Sequence, residues 1–390
     1  MRLSCNGVKV SLDDAIKNTA SKTSPVLAST EFDGTEGFIQ TGPLHSQPQT
    51  TSDFTDLLRQ FGYDPETVEI VGPARISKWQ QRPDSEFLSA YRFRIATRRE
   101  CIDLPALYAA VEKTVQPEVS ATGEGPVAVV VFADPQIGKT DARGGTPQLI
   151  ERLEQKREAL QEWITKIGPA KCVFVDAGDG VESFENTGSQ PFTNDLSFPQ
   201  QLDMYSTEVF KFVSVLCKSA PTTSLIVPSN HGAWRNGKQN LGNPQDDWGL
   251  FVHRQVAKQA QAIDMPLTCL MPEDYNESLV FDAGPATLGV THGHQVGSPD
   301  RFPHWWAEQT HGGQPMATAD VAITGHFHHL RVQPTGRNAL SGRAKWWIQA
   351  PTLDNGSSWF VNRRGDESDP GMVVFTLNSE GFNLQSLEVL

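Results

Sequence analysis

A chain of 390 residues, with 38% hydrophobic, 9% aromatic and 20% charged residues, holds enough apolar material for a sizeable core and two or three domains, which excludes a wholly disordered polymer. No apolar run reaches the roughly 18 residues of a membrane span, and the N-terminal MRLSCNGVKVSLDDAIK lacks an apolar signal-peptide core. A net charge of −13 repels polyanions at long range and excludes a general nucleic-acid glue.

Five scattered cysteines, Cys5, Cys101, Cys172, Cys217 and Cys269, never form a CxxC pair, a usage that fits a reducing cytosol and no disulfide or zinc-ribbon framework. Residues 18–52 are rich in Ser, Thr, Gly, Pro and Gln and read as a loop-like or partly ordered segment. Residues 53–61 predict a short helix, residues 68–71 and 87–97 predict strands, and 104–115 a further helix. In the second strand Tyr91, Phe93 and Ile95 alternate with Arg92 and Arg94, the period of a half-buried strand. These elements make a small α+β N-terminal domain over residues 1–118, followed by a linker over 119–126 within PEVSATGEGP, and a catalytic domain over 127–390.

From residue 127 the texture changes. Five apolar runs each end in polar residues: VAVVVFADPQ (127–136), KCVFVDAGD (171–179), TSLIVPSNH (223–231), ATLGVTHGH (286–294) and DVAITGHFHH (320–329). Helical patterns over 147–168, 201–217 and 246–263 alternate with them, which predicts a layered α/β domain. In α/β sheets functional groups gather at the carboxyl ends of strands. There lie Asp134, Gln136, Asp179, Asn230, His231, His292, His326 and His328. One such residue is ordinarily a satisfied turn or core group. Eight at the ends of five successive predicted strands form a set of carboxylate, amide and imidazole donors suited to divalent ions. The set contains no thiolate, which disfavours structural zinc.

In this order the residues resemble the calcineurin-like metallophosphoesterase superfamily, whose pattern is D-x-H, G-D-x-x-D/E/N, G-N-H, a lone H and G-H-x-H. The matches are Asp134-Pro135-Gln136, Gly178-Asp179-Gly180-Val181-Glu182, Ser229-Asn230-His231, His292, and Gly325-His326-Phe327-His328. The resemblance implies a four-layer β-sandwich flanked by helices and a two-metal hydrolase. It implies that Asp134, Gln136, Asp179 and His328 hold a first ion, and Asp179, Asn230, His292 and His326 a second, with Asp179 bridging. His231 is then placed beside the phosphate as general acid or donor. The implied ions are two divalent cations, Mn²⁺ first, with Mg²⁺, Fe or Zn²⁺ as alternatives. Such a pair neutralises the phosphoryl oxygens and activates a bridging water at neutral pH. Two positions depart from the pattern. Gln136 stands for His, a weaker and harder donor that lowers affinity at the first site and favours Mn²⁺ or Mg²⁺. Ser229 stands for Gly, which is benign if its φ is negative. Glu182 is read as supporting the ligands. The layout is also similar to phage-type metallophosphoesterases, which implies a cytoplasmic location, that of a host if the chain is phage-encoded. The motif series is shared with the double-strand-break-repair nuclease branch, whose capping domain has no clear match.

Three features bear on the substrate. Arg235, four residues after His231, is placed to pair with a phosphate oxygen or else is a solvated loop residue. Trp305, Trp306, Trp346, Trp347 and Trp359 offer planes for stacking on bases, although core packing is favoured for Trp346 and Trp347. His294, His311 and His329 are read as supporting or surface groups. The segment Arg75–Arg99 holds seven basic residues against Asp84 and Glu86 and is a candidate nucleic-acid surface, with a solvated strand face as the plainer reading. The combined expectation is two-metal hydrolysis of phosphate esters, with phosphodiesters preferred, as in a nuclease or nucleotide phosphodiesterase. A phosphomonoesterase on a small substrate and a catalytically weak nucleic-acid-binding module are the alternatives.

Overall fold

The computed structural model describes residues 27–34, 36–44, 55–80, 86–97, 125–184, 193–236, 239–358, 361–362, 365 and 368–390. They fall into two compact units, residues 1–101 and 102–390. The helix expected over 104–115 and most of the expected linker lie outside the described residues.

In the first unit strands β1 (Ser29–Phe32) and β2 (Glu36–Gln40), helix α1 (Thr55–Gln60), and strands β3 (Val68–Gln80) and β4 (Phe87–Thr97) follow one another. The strands form an antiparallel sheet of order β1-β2-β4-β3. Ile39, Leu58, Val68 and Ile95 make its core. In β4 Tyr91, Phe93 and Ile95 are buried while Arg92 and Arg94 are exposed, as the alternation predicts. Within residues 18–52, expected to be loop-like or partly ordered, β1 and β2 are ordered strands. Three of the four β1 residues are exposed, so this edge strand carries almost no apolar signal.

The second unit is built on two sheets. Strand β5 (Val127–Phe132), helix α2 (Thr146–Ile167), β6 (Lys171–Asp176), helix α3 (Phe198–Ser219) and β7 (Thr222–Ile226) come first. A short ribbon, β8 (Arg235–Asn236) with β9 (Gln239–Asn240), then helix α4 (Trp248–Ala262) and β10 (Leu267–Leu270) follow. Strands β10, β7, β6 and β5 are parallel neighbours. Beyond them lie β11 (Ser278–Asp282), β12 (Thr287–Thr291), helix α5 (Phe302–His311), β13 (Val321–Thr324), β14 (Arg331–Arg337) and β15 (Ala344–Gln349). Strands β16 (Val373–Asn378), β17 (Gly381–Phe382) and β18 (Glu388–Val389) close the chain. The first sheet runs β10-β7-β6-β5-β16-β17, with β18 also on β16, and the second runs β11-β12-β13-β15-β14.

Burial explains the layering. Strand β5 is apolar on both faces, as a central strand must be. Ala128, Val130 and Phe132 meet Leu149, Leu153 and Trp163 of α2 and Phe212 of α3. Val127, Val129 and Val131 meet Leu288, Val290, Val321, Ile323 and Ile348 of the second sheet. The outer face of that sheet is covered by Phe302, Trp306 and Met316, which pack with Trp347. The result is helices, sheet, sheet and helix in four layers. Trp347 stacks on Phe302 at 4.7 Å and donates to Thr324 Oγ1 at 3.0 Å, and Trp306 donates to the Met316 carbonyl at 2.7 Å. These two indoles are core groups and present no plane to a base. Trp359 lies outside the described residues.

A buried polar knot anchors the end of β6. Asp176 Oδ2 accepts from Tyr205 Oη at 2.5 Å and lies 2.9 Å from His253 Nε2, and its Oδ1 accepts from the Gly178 amide at 3.0 Å. All three side chains are fully buried, where a hydrogen bond to a charged group is worth about 1.5–3 kcal/mol. Replacing Tyr205 by Phe is expected to lower unfolding free energy by roughly 2 kcal/mol, read from the urea midpoint at unchanged m-value.

Candidate metal centre

The site lies where the strands of both sheets end. Strand β5 delivers Asp134 and Gln136, β6 delivers Asp179, and β7 delivers Asn230 and His231. Strand β12 delivers His292, and β13 delivers His326 and His328. Each strand reverses abruptly into its turn. Eight described non-glycine residues have positive φ, and five of them are Asp134 (50°), Gln136 (42°), Asp179 (53°), His326 (68°) and His328 (60°). Left-handed backbone at such residues costs of order 1–3 kcal/mol each and persists only when its surroundings impose it.

The imposing contacts are visible. The Asp134 amide donates to Gly178 O at 3.1 Å, Gln136 N to Asp179 O at 3.0 Å, and Ile137 N to Gly180 O at 3.1 Å. Two ligand-bearing turns are thereby laced together. The His326 amide donates to both Asp134 carboxylate oxygens, at 3.1 and 3.0 Å. Gly325 permits this approach, because a Cβ there would lie 2.4 Å from Asp134 Oδ2. Gly178 has φ +98°, and its Cβ would lie 2.6 Å from that of Ser229. Ser229 is not among the positive-φ residues, so it replaces glycine without strain, and its hydroxyl accepts from Gly232 N at 3.1 Å.

Asp179, His292 and His326 each place a ligand atom within 4.8 Å of the other two. Asn230 joins them, its Oδ1 lying 2.9 Å from His292 Nε2, while Asp179 Oδ2 lies 3.1 Å from the same nitrogen. His292 Nδ1 donates to the Ala177 carbonyl at 2.7 Å, which turns Nε2 toward the donors. Carboxylate, amide oxygen and two imidazoles, close together, with Asp179 and His292 buried and Asn230 and His326 half-buried, fit a divalent ion. Asp134 and His328 make a second pairing, and Gln136 is linked to it through Lys139, which also meets Asp354 beside His328. His328 Nε2 is 3.5 Å from Asp134 Oδ1. His231 is bound through its amide to Asp179 Oδ1 at 2.8 Å, with its Nε2 3.9 Å from Asp179 Oδ2. Arg235 Nη1 donates to the Asn230 carbonyl at 2.8 Å and braces that turn.

Charge follows geometry. Burial pushes the Asp179 carboxyl up, but His292, His231 and His326 outweigh it and hold it well below the usual carboxylate range. Burial disfavours a proton on His292, yet the charge and hydrogen bond of Asp179 dominate and raise it to about 9. Burial and then the charge of His292 lower His326 to about 2 and His294 to about 4. His294 sits against this cluster, its ring 5.4 Å from His292.

Two residues of the site carry no motif. Asp354, fully buried after β15, accepts from Lys139 Nζ at 2.6 Å and lies 3.5 Å from His328 Nδ1. Lys139 Nζ also donates to Gln136 Oε1 at 2.7 Å. The signal for Asp354 is the same as for the others: the apolar run AKWWIQA precedes Asp354-Asn355-Gly356.

No family model and no curated protein matches the chain. Solved structures are matched. A conserved predicted phosphoesterase from Streptococcus pneumoniae TIGR4 is 12% identical, covering 67% of this chain and 96% of its own, at TM-score 0.25. A metallophosphoesterase from Sphaerobacter thermophilus is 14% identical, covering 68% and 88%, at TM-score 0.28. A purple acid phosphatase from yellow lupin (Lupinus luteus) seeds is 13% identical, covering 90% and 69%, at TM-score 0.29. These superpositions are loose and add no weight to a residue's role. In its layered two-sheet core and the order of its site residues the chain itself resembles the calcineurin-like metallophosphoesterase superfamily.

A proton and a divalent ion compete for His292 Nε2, and the proton is held up to about pH 9. Mn²⁺ affinity is therefore expected to fall by about tenfold per pH unit below that value and to level off above it. Calorimetry in buffers of different ionisation enthalpy is expected to show about one proton released at neutral pH as an ion enters this cluster.

Proposed function

We propose that this chain is a metal-dependent phosphoesterase of the calcineurin-like superfamily, with phosphodiesters as its preferred substrates. The observation that carries the reading is the clustering of Asp179, Asn230, His292 and His326, together with the pairing of Asp134 with His328, at the carboxyl ends of strands from both sheets. Bound divalent ions supply Lewis-acid activation of the phosphoryl group and of water. Asp134, Gln136, Asp179 and His328 would hold one ion, and Asp179, Asn230, His292 and His326 the other. Manganese is the ion we favour, since the amide oxygen of Gln136 is a hard donor.

His231 supplies the proton. Its Nδ1 donates to the Glu182 carbonyl at 2.7 Å, with Glu182 Oε2 3.4 Å away, which fixes the tautomer and tilt of the ring. Nε2 accepts from Gln136 Nε2 at 3.4 Å, lies 3.9 Å from Asp179 Oδ2, and is the nitrogen that would exchange a proton with the leaving oxygen. The diester preference follows the motif series, and the nearby cations are held by the protein itself. Lys139 is held by Asp354, Arg152 by the carbonyls of Leu353 and Asp354, and Arg235 by the Asn230 carbonyl.

A nucleic acid is the diester that the first unit favours. Arg75 and Arg92 are direct cross-strand partners, both exposed, and the Arg92 guanidinium lies 3.6 Å from the Phe38 ring centroid. This is a basic face with an aromatic floor.

With Mn²⁺, turnover of bis-p-nitrophenyl phosphate is expected to exceed that of p-nitrophenyl phosphate. Turnover of the monoester alone would overturn the diester reading. His231→Ala is expected to lower kcat by about 10²–10⁴-fold with bound metal unchanged, and loss of metal would make His231 a ligand instead. The double substitution Arg75→Ala and Arg92→Ala is expected to weaken binding of single-stranded DNA while sparing turnover of the small diester.

A further inference from the structure

We propose that Lys139, ion-paired with Asp354, is a built-in cation that competes with the ion of the first site, so that the two sites differ in affinity and the second fills first. The inference rests on the metal-dependent reading above and concerns the chain's own residues toward those ions.

The Lys139 ammonium donates at 2.7 Å to Gln136 Oε1, the very oxygen that would ligate. It donates at 2.6 Å to Asp354 Oδ2, and the two side chains are only 12% and 0% exposed. The Gln136 amide is held at both ends, since its Nε2 lies 3.4 Å from His231 Nε2. An amide oxygen has a second lone pair, so a divalent ion has access to it. Such an ion, at a normal ligand distance from that oxygen, would lie within about 5 Å of a buried positive charge. Screening by water is weak at that depth.

Asp354 ties this arrangement to a second ligand. Its Oδ2, which holds the ammonium, lies 3.5 Å from His328 Nδ1 and so turns His328 Nε2 toward Asp134. One buried carboxylate therefore orients a ligand of the first site and seats a cation against another. At the second site the geometry is different: Asp179 Oδ2 and Asn230 Oδ1 face the imidazole nitrogen of His292, a proton site that a metal ion replaces directly. The amide in place of imidazole at position 136 weakens the first site by donor strength. The Lys139 charge weakens it again, through space, and can be removed separately.

The test is calorimetric titration of the protein with Mn²⁺ alone at fixed pH, with native mass spectrometry to count ions. The wild type is expected to bind one ion tightly and a second at least about thirtyfold more weakly. Lys139→Met, and Lys139→Gln, which keeps hydrogen-bonding capacity toward Asp354, are both expected to tighten the weaker ion by about tenfold or more. Asp354→Asn is expected to move it the opposite way, and Lys139→Arg to leave it in place. Two equal affinities in the wild type, or an unchanged weaker ion in both neutral variants, would overturn the proposal while leaving the phosphoesterase reading intact. A protein that binds no Mn²⁺ at all would overturn that reading and this proposal together.

Discussion

The structure turns on one buried carboxylate. Asp179 is buried, and an isolated ionised group in that position would be expensive. It is ionised because its surroundings are arranged around its charge: the His231 amide on Oδ1 and His292 Nε2 on Oδ2. The Asp176–Tyr205–His253 knot fixes the start of its turn, and the lacing of Gln136 N to Asp179 O fixes its end. Every other candidate ligand is placed relative to this group, so loosening it would disperse donors that come from four other strand ends.

Holding the donors so close has a conformational cost, and the fold meets it with packing. Five site residues occupy left-handed backbone, a combined penalty of several kcal/mol. Strands β5 and β6 are buried on both faces, by α2 and α3 on one side and by the second sheet on the other. At about 25 cal/mol per Å² of apolar surface, that layered core outweighs the strain in the turns. The strain in turn explains two glycines. Gly325 and Gly178 sit where a Cβ would collide with Asp134 or with Ser229, so the motif glycines make room for ligands and do not themselves bind.

Much of this was legible in the chain because the signal is local. An apolar run of strand length that stops at Asp, Asn or His identifies both the strand and its functional end, as at 127–136 and 320–329. What the run does not carry is its partner. Nothing within 223–231 or 286–294 says that the first belongs to one sheet and the second to another. Strand β1 was illegible for the opposite reason, since an exposed edge buries too little to show a period. Asp354 follows an apolar run like the rest, but Asp-Asn-Gly also reads as an ordinary turn. Its meaning comes from a lysine 215 residues earlier in the chain. The tryptophans were ambiguous for want of a direction: only the stacking of Phe302 on Trp347 shows that the indole faces α5.

The acidic balance of the chain takes on a specific sense at this centre. A net charge of −13 is unfavourable for approach of a phosphate ester, yet the carboxylates at the site are buried, each against a cation or a proton donor. Asp134 faces His328 and the His326 amide, Asp179 faces His292, and Asp354 faces Lys139. Positive charge placed among these groups therefore meets a prepared counter-charge, whether it arrives as a proton, an ammonium or a metal ion. The three differ in what they leave available. A proton on His292 would block a donor nitrogen, and the Lys139 ammonium on Gln136 sets a positive charge beside a donor oxygen. A divalent ion satisfies the same donors and keeps coordination positions open for a substrate. Which cation sits where sets the chemistry that this cage of donors can perform.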